Sequence, residues 1–186
     1  MKNSNFETLV KPVIVLVVIC IITSAALAFT NSVTAPIIEE QEMAAANAAY
    51  QAVLPEADSF TAVAFTTENV VDAVKADNGA GYCIKANGKG YGGAVPVVVG
   101  FDADGKIVGV QFMQNSESAG FGMKLWDGNA EGVAYAEAMV GKDSTMTLRE
   151  DGVNGITGAT ISSKAALSAV NTAIECFAEL NAKEAA

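Results

Sequence analysis

The segment from Pro12 to Ile38 constrains the fold more than any other part of the chain, because it contains no charged residue. Its first part, "PVIVLVVICIITSAALAF", is apolar except for Thr23 and Ser24. A run of about 20 apolar residues is long enough to cross the hydrocarbon core of a bilayer as a helix. The sequence therefore predicts a transmembrane anchor at residues 12–35, preceded by a short N-terminus at residues 1–11.

Charge on either side of this segment predicts its orientation. Lys2 and Lys11 precede it, whereas Glu39, Glu40 and Glu42 follow it. The positive-inside rule then places the N-terminus in the cytoplasm and the rest of the chain on the extracytoplasmic side of the cell (inner or cytoplasmic) membrane, with a single pass. A cleaved signal peptide is the alternative, since "ALAF" resembles a cleavage site; the length of the apolar run favours an anchor.

Composition excludes several classes of function. The net charge is −10 and Arg149 is the only arginine, so the chain offers no basic surface for nucleic acid. It has no histidine, which excludes histidine-based acid–base catalysis. Its three cysteines, Cys20, Cys83 and Cys176, are scattered, so no metal site is predicted. Cys83 and Cys176 either form one disulfide or remain as two buried thiols.

The remaining pattern predicts an α+β fold: a stalk helix within residues 36–58, followed by a compact domain at residues 59–186. The stalk helix is expected from about Glu39 to Val53, before Pro55. Strands are predicted in "FTAVAFTTENVVDAVKA", in the segment Ala80–Asn115 and in "STMTL", with a hairpin turn at Asp102–Gly105. Two further helices are predicted. One covers "NAEGVAYAEAMVG", with Val133, Ala136, Met139 and Val140 on one face; the other runs from Ile161 to Leu180, with Leu167, Val170, Ile174 and Phe177 facing the sheet.

The stretch "DGVNGITGATISS", residues 151–163, places glycines and hydroxyl side chains immediately before the last helix. Unpaired amides at a helix N-terminus attract anions, above all phosphate. An anion site would use the amides of Ile161, Ser162 and Ser163, with the hydroxyls of Thr157, Thr160 and these two serines nearby. The alternative is purely structural, with Thr160 as a helix cap after a glycine turn.

The same stretch resembles the D-x-x-[ST]-G-A-T motif of the bacterial FMN-binding domain, in which a flavin transferase esterifies the FMN phosphate to the last threonine. The resemblance implies that Thr160 carries a covalent FMN and that Thr157, Gly158 and Ala159 complete the motif. It also implies that Asp151 or Asn154 contributes to recognition by the transferase.

A second stretch, from Gly88 to Gly122, is similar to the central region of the G subunit of the Rnf ion-translocating oxidoreductase complex. In that family a His-x-Glu-Thr-Pro-Gly-Leu-Gly-like element lies near the flavin. Here Asn115 replaces the histidine and Ala119 the proline, while the glutamate and both glycines are present. The resemblance implies flavin contacts from the residues of this loop: Glu117, Ser118, Gly120, Phe121 and Gly122.

Taken together, these resemblances imply an electron-transfer subunit that is not catalytic alone. It would hold FMN in a ferredoxin:NAD oxidoreductase that couples electron flow to Na⁺ or H⁺ movement. Its partners would be the other membrane subunits of the complex and a flavin transferase. The alternatives are the C subunit of the Na⁺-translocating NADH:quinone oxidoreductase, a flavin domain that feeds an extracellular reductase, and an anchored extracytoplasmic module without a redox role.

Overall fold

A computed structural model of the chain describes residues 10–120, 122–126, 128–143 and 145–184. Helix α1, Lys11–Val53, is 43 residues long and contains Pro36. Within the described residues it is the one helix long and apolar enough to cross a membrane. The predicted anchor and stalk therefore form one continuous helix, which ends at Val53 as the sequence indicated.

The chain divides into two units, one up to Ala45 and a compact one from Ala46 onwards. The compact unit thus begins earlier than the boundary predicted at residue 59. The physical reason is burial: Ala49, Tyr50 and Val53 are each at most 5% exposed and pack in a core with strand residues. The last turns of α1 are therefore part of the domain.

The domain is built on a five-stranded antiparallel sheet in which each strand pairs with the next along the chain. The strands are β1 (Phe60–Ala62), β2 (Val70–Ala76), β3 (Gly81–Lys89), β4 (Ala94–Asp102) and β5 (Ile107–Phe112). The predicted hairpin joins β4 to β5, and Gly105 in its turn has φ +88°, a value that favours glycine.

Each face of the sheet is covered by a different helix. Helix α3, Thr160–Glu184, packs on one face, and the four side chains predicted to face the sheet are all buried. The ring of Phe177 stacks on that of Phe101, with centroids 5.0 Å apart. The end of α1 covers the other face, against Val74 and Val98.

The two cysteines of the domain belong to these two different cores. Cys83 lies in the core beneath α1 and Cys176 in the core beneath α3, and both are free thiols. They therefore do not form the disulfide that the sequence left open. Burial raises the pKa of Cys83 to about 12, which keeps it protonated.

Two predictions for residues 129–148 are wrong in part. Helix α2, Ala130–Glu137, exists, but Val133 and Val140 are exposed while Tyr135 is buried. Since α2 ends at Glu137, Met139 and Val140 lie beyond it. The described part of "STMTL" forms no strand. Instead, the backbone N–H and carbonyl of Met146 both bond to the side-chain amide of Asn171, at 2.9 and 2.8 Å.

Candidate functional site

The segment before α3 is a tight turn that places Thr160 at the start of the helix. The amide of Ala159 donates to the carbonyl of Ile156 at 3.0 Å, and Gly158 has φ +81°. A turn with positive φ at its third residue favours glycine. The amide of Ser163 donates to the carbonyl of Ala159, which makes Ala159 the residue that caps the helix. Thr160 is thus the first helical residue, and its side chain is exposed.

Residues on both sides of this turn hold it in place. The hydroxyl of Ser163 accepts a hydrogen bond from the amide of Ile156 at 2.9 Å. The carbonyl of Ser163 accepts one from the hydroxyl of Tyr135 at 2.7 Å. Upstream, the carboxylate of Asp151 accepts from the amide and the hydroxyl of Thr147 at 2.6 and 3.0 Å. These bonds hold the pKa of Asp151 below its usual value, with a smaller contribution from Lys142.

Next to the turn lies a cleft of about 350 Å³. Loop residues after β3 and β5 form one side, and the start of α3 forms the other. Its lining consists of Tyr91, Glu117, Ser118, Gly122, Gly158, Ala159, Thr160, Ile161 and Ser162. The two stretches singled out in the sequence, which are distant along the chain, therefore meet at one cleft.

Glu117 and Ser162, which both line this cleft, are buried. The hydroxyl of Ser162 donates to one carboxylate oxygen of Glu117, and the amide of Gly92 donates to the other at 2.7 Å. The side-chain oxygen of Asn115 accepts from the amide of Glu117 at 3.1 Å. Asn115, one of the two residues that depart from the family pattern, thus helps to fix the backbone at Glu117.

Several residues expected at the site lie outside the cleft. Thr157 and Asn154 line a second cleft of about 330 Å³ on the other side of the turn, together with Tyr135. Gly120 is exposed, has φ +76° and has open space around it. Phe121 lies outside the described residues.

Two residues expected at the site instead form hydrogen bonds within the domain that the sequence did not indicate. The amide and hydroxyl of Ser163 are both bonded within the domain, so Ser163 supports the turn instead of offering donors to an anion. The carboxylate of Asp151 is likewise bonded to Thr147. Hydrogen bonds of this kind depend on how the chain folds back and leave no periodic signal in the sequence.

Tyr91 is a site residue that was not predicted from the sequence. Its ring is 78% exposed and lines the cleft opposite the start of α3. An aromatic residue flanked by glycines in "GKGYGG" was a usable signal, since exposed aromatic rings are common where planar ligands bind. Among the described residues that line the cleft, Ile161, 55% exposed, is the other large apolar side chain.

The cleft fits a group that combines a phosphate with a planar ring. Its volume lies in the range of about 300–1,000 Å³ typical of small-molecule sites. The first amides of α3 and the partial positive charge of the helix N-terminus suit a phosphate. Tyr91 and Ile161 supply exposed apolar surface for a ring, and Thr160 supplies an exposed hydroxyl.

Comparison with known proteins agrees with this geometry. Residues 90–175, which include both walls of the cleft, match the FMN-binding domain. The fold and the cleft thus define an FMN-binding domain. Residues 1–53 match the RnfG N-terminal region. The chain belongs to the RnfG family.

Relatives match almost the whole chain. The G subunit of the Na⁺-translocating ferredoxin:NAD⁺ oxidoreductase complex of Acetobacterium woodii is 32% identical, over 95% of this chain and 95% of its own length. The corresponding protein of the proton-translocating ferredoxin:NAD⁺ oxidoreductase complex of Clostridium ljungdahlii is 28% identical, over 86% of each chain. That of the ion-translocating oxidoreductase complex of Methanosarcina acetivorans is 27% identical, over 92% of this chain and 96% of its own.

Proposed function

We propose that this chain is the FMN-carrying electron-transfer subunit of a membrane-bound complex. The complex would pass electrons between ferredoxin and NAD and couple this transfer to Na⁺ or H⁺ translocation. Support comes from relatives named as the G subunits of Na⁺- or proton-translocating ferredoxin:NAD⁺ oxidoreductase complexes, which match the anchor and the domain together. The match of residues 1–53 to the RnfG N-terminal region favours this assignment over the alternative, the C subunit of the Na⁺-translocating NADH:quinone oxidoreductase.

The FMN is held covalently, through a phosphoester to the hydroxyl of Thr160. The observation that carries this part is the position of Thr160, exposed at the first residue of α3 and at the edge of the cleft in the FMN-binding domain. A threonine hydroxyl is too weak an acid to react unaided, so a separate flavin transferase makes the bond: the Thr160 oxygen loses its proton and attacks the phosphorus of an activated FMN donor, and the other substituent on that phosphorus leaves. Afterwards the start of α3 stabilises the remaining phosphate charge through the amides of Ile161 and Ser162.

The chain's own residues bind and orient the flavin. Bound FMN supplies one- and two-electron chemistry, which suits a relay between electron carriers. Tyr91 and Ile161 offer apolar surface to its ring, and the turn at Gly158 leaves the hydroxyl of Thr160 accessible. Asn154, on the opposite side of the turn, is where the transferase would hold the motif. Ferredoxin, NAD and the ion bind to partner subunits.

In this arrangement α1 anchors the chain with its N-terminus in the cytoplasm. The uncharged run, which extends to Ile38, is followed by Glu39, Glu40 and Glu42, and the FMN-binding domain comes after them. The domain therefore lies on the extracytoplasmic side of the cell membrane. Covalent attachment is useful there, because a lost cofactor could not be replaced from the cytoplasmic pool.

Coexpression with a flavin transferase tests the attachment site. Wild-type protein should show a fluorescent flavin band on a denaturing gel, and Thr160→Ala should abolish it. Thr157→Ala is the matched control, since this residue of the same motif faces the second cleft, and it should retain flavin. Trypsin releases both threonines in one peptide, 150–164, in which fragment masses locate the bound FMN. A flavin band that survives Thr160→Ala would show that the assignment is wrong.

Purified complex tests the wider function. Complex that contains the wild-type chain should reduce NAD with reduced ferredoxin, whereas complex with Thr160→Ala should not. If the complex instead reduced a quinone with NADH, the chain would belong to the Na⁺-translocating NADH:quinone oxidoreductase.

A further inference from the structure

The carboxylate of Glu117 occupies an unusual position, because it is 5% exposed and both of its oxygens bond to uncharged groups. One accepts from the amide of Gly92 at 2.7 Å, and the other accepts from the hydroxyl of Ser162. Among the described residues it forms no ion pair with lysine or arginine. A buried charge is costly unless hydrogen bonds compensate it, so these two donors are essential to its burial.

Two glycines pack so closely around this carboxylate that neither position has room for a side chain. A Cβ atom at Gly90 would lie 2.4 Å from a carboxylate oxygen of Glu117. One at Gly122 would lie 2.5 Å from the Cβ of Glu117 and 2.5 Å from the hydroxyl of Ser162. Gly90 and Gly122 therefore leave the room that the buried side chain of Glu117 occupies.

The two donors belong to opposite walls of the cleft. Gly92 follows Tyr91 in the loop after β3, whereas Ser162 lies in the first turn of α3, two residues after Thr160. Glu117 is therefore the hydrogen-bonded link between the wall that carries the aromatic ring and the wall that carries the acceptor hydroxyl.

On the basis of the proposed function, we propose that Glu117 is a positioning residue for the flavin. Its carboxylate links the loop between β3 and β4, residues 90–93 (the Tyr91 loop), to the first turn of α3. This link keeps the cleft in the conformation in which the transferase attaches FMN to Thr160. Its negative charge also lies beside the bound cofactor. Because reduction adds electrons to the ring, a buried negative charge opposes it and lowers the reduction potential.

Four variants of the full-length protein, each coexpressed with the transferase, separate these two effects. Glu117→Ala and Ser162→Ala each break the link. Ser162→Ala should lower the labelled fraction of Thr160 about tenfold, as expected for the loss of one hydrogen bond to a charged group, and Glu117→Ala, which removes both bonds, should lower it at least as much. Glu117→Gln keeps the link, because its amide oxygen can accept from Gly92 and its NH₂ can donate to Ser162. This variant should be labelled normally, but its flavin should have a higher midpoint potential in a redox titration.

Asp72→Asn is the matched control for the loss of one negative charge. Asp72 accepts from Tyr50 at 2.7 Å beneath the other face of the sheet, away from the cleft, and asparagine can accept the same bond. Labelling and midpoint potential should both equal those of the wild type.

The outcomes distinguish this inference from the proposed function. Loss of flavin in Thr160→Ala together with normal labelling of Ser162→Ala and of folded Glu117→Ala would overturn only the positioning role. A potential for Glu117→Gln equal to that of Asp72→Asn would overturn the electrostatic role. Flavin retained in Thr160→Ala would instead overturn the proposed attachment. Circular dichroism shows whether each variant is folded, and Ser162→Ala tests the link even where Glu117→Ala does not fold.

Discussion

Gly92 and Gly93 are neighbours in the Tyr91 loop, but their surroundings differ. A Cβ atom at Gly92 would lie 2.2 Å from the carbonyl oxygen of Ser116, whereas at Gly93 the nearest atom would be 3.9 Å away. We expect Gly92→Ala to lower the free energy of unfolding by about 1–3 kcal/mol, as overpacked substitutions do. Urea denaturation measures this change.

Gly93→Ala is the control, and its effect should stay within about 0.5 kcal/mol, as for substitutions that meet ordinary contacts. Equal effects of the two substitutions would contradict the close packing of this loop against Ser116.

At the residue scale the position of Thr160 at the start of the last helix was predictable from the sequence, but the hydrogen bonds around Glu117 were not. The exposed Thr160 and the glycine turn before it follow from local pattern and from the resemblance to the FMN-binding domain. The partners of Glu117 could not be predicted in this way, because Gly92 and Ser162 are 25 and 45 residues away in the chain. Hydrogen bonds over such distances are determined by strand pairing and helix packing.

The end of α1 is an element that we expect to stabilise the domain. Tyr50 is 1% exposed, packs near Phe60 and donates its hydroxyl to Asp72. Tyr50→Ala in the full-length protein should cost about 3–5 kcal/mol, the range for large buried aromatic side chains. Thermal unfolding followed by near-UV circular dichroism measures the loss.

Met43→Ala provides the comparison, since Met43 lies on the same helix but is 59% exposed and belongs to the other unit. It should leave the unfolding temperature of the domain unchanged. If Tyr50→Ala also left it unchanged, α1 would contribute nothing to the domain core.

Glu179 joins the loop after β1 to α3, and its contribution should depend on pH. Its carboxylate accepts from the ammonium of Lys183 and from Thr67 and Thr66, and these hydrogen bonds lower its pKa to about 2. The unfolded value is 4.5, so the stabilisation is complete above that pH and is lost as the pH falls through about 2.

We therefore expect Glu179→Gln to destabilise the protein at pH 7, and the difference from wild type to shrink towards zero near pH 2. Urea denaturation at both pH values measures it. Glu175→Gln, an exposed position one turn earlier on α3, should show no difference at either pH. If the difference in unfolding free energy between Glu179→Gln and wild type stayed constant with pH, the stabilisation would not come from the ionised carboxylate of Glu179.

At the element scale the regular patterns were predictable and the irregular ones were not. The last helix and the β4–β5 hairpin were predicted because their signals, apolar spacing and an Asp-Gly turn, are local. The composition of residues 145–148 is typical of a strand. In the structure, however, the backbone N–H and carbonyl of Met146 bond to the side chain of Asn171 in α3 and not to a neighbouring strand. Tertiary contact overrode local β propensity there.

For the molecule as a whole, cysteine labelling can test on which side of the membrane the FMN-binding domain lies. Cys83 and Cys176 are fully buried, and Cys20 lies within the apolar run of α1. Wild-type protein in intact cells should therefore react poorly with a membrane-impermeant maleimide. Glu68, an exposed residue of the domain, is a suitable position for one reactive cysteine.

Glu68→Cys should be labelled in intact cells, because the positive-inside rule predicts that the domain lies outside the cytoplasm. Permeabilised cells give the total available for labelling, and wild-type protein gives the background. Labelling that appears only after permeabilisation would place the domain in the cytoplasm. The flavin would then lie on the same side as soluble ferredoxin and NAD, so electrons would not have to leave the cytoplasmic side to reach it.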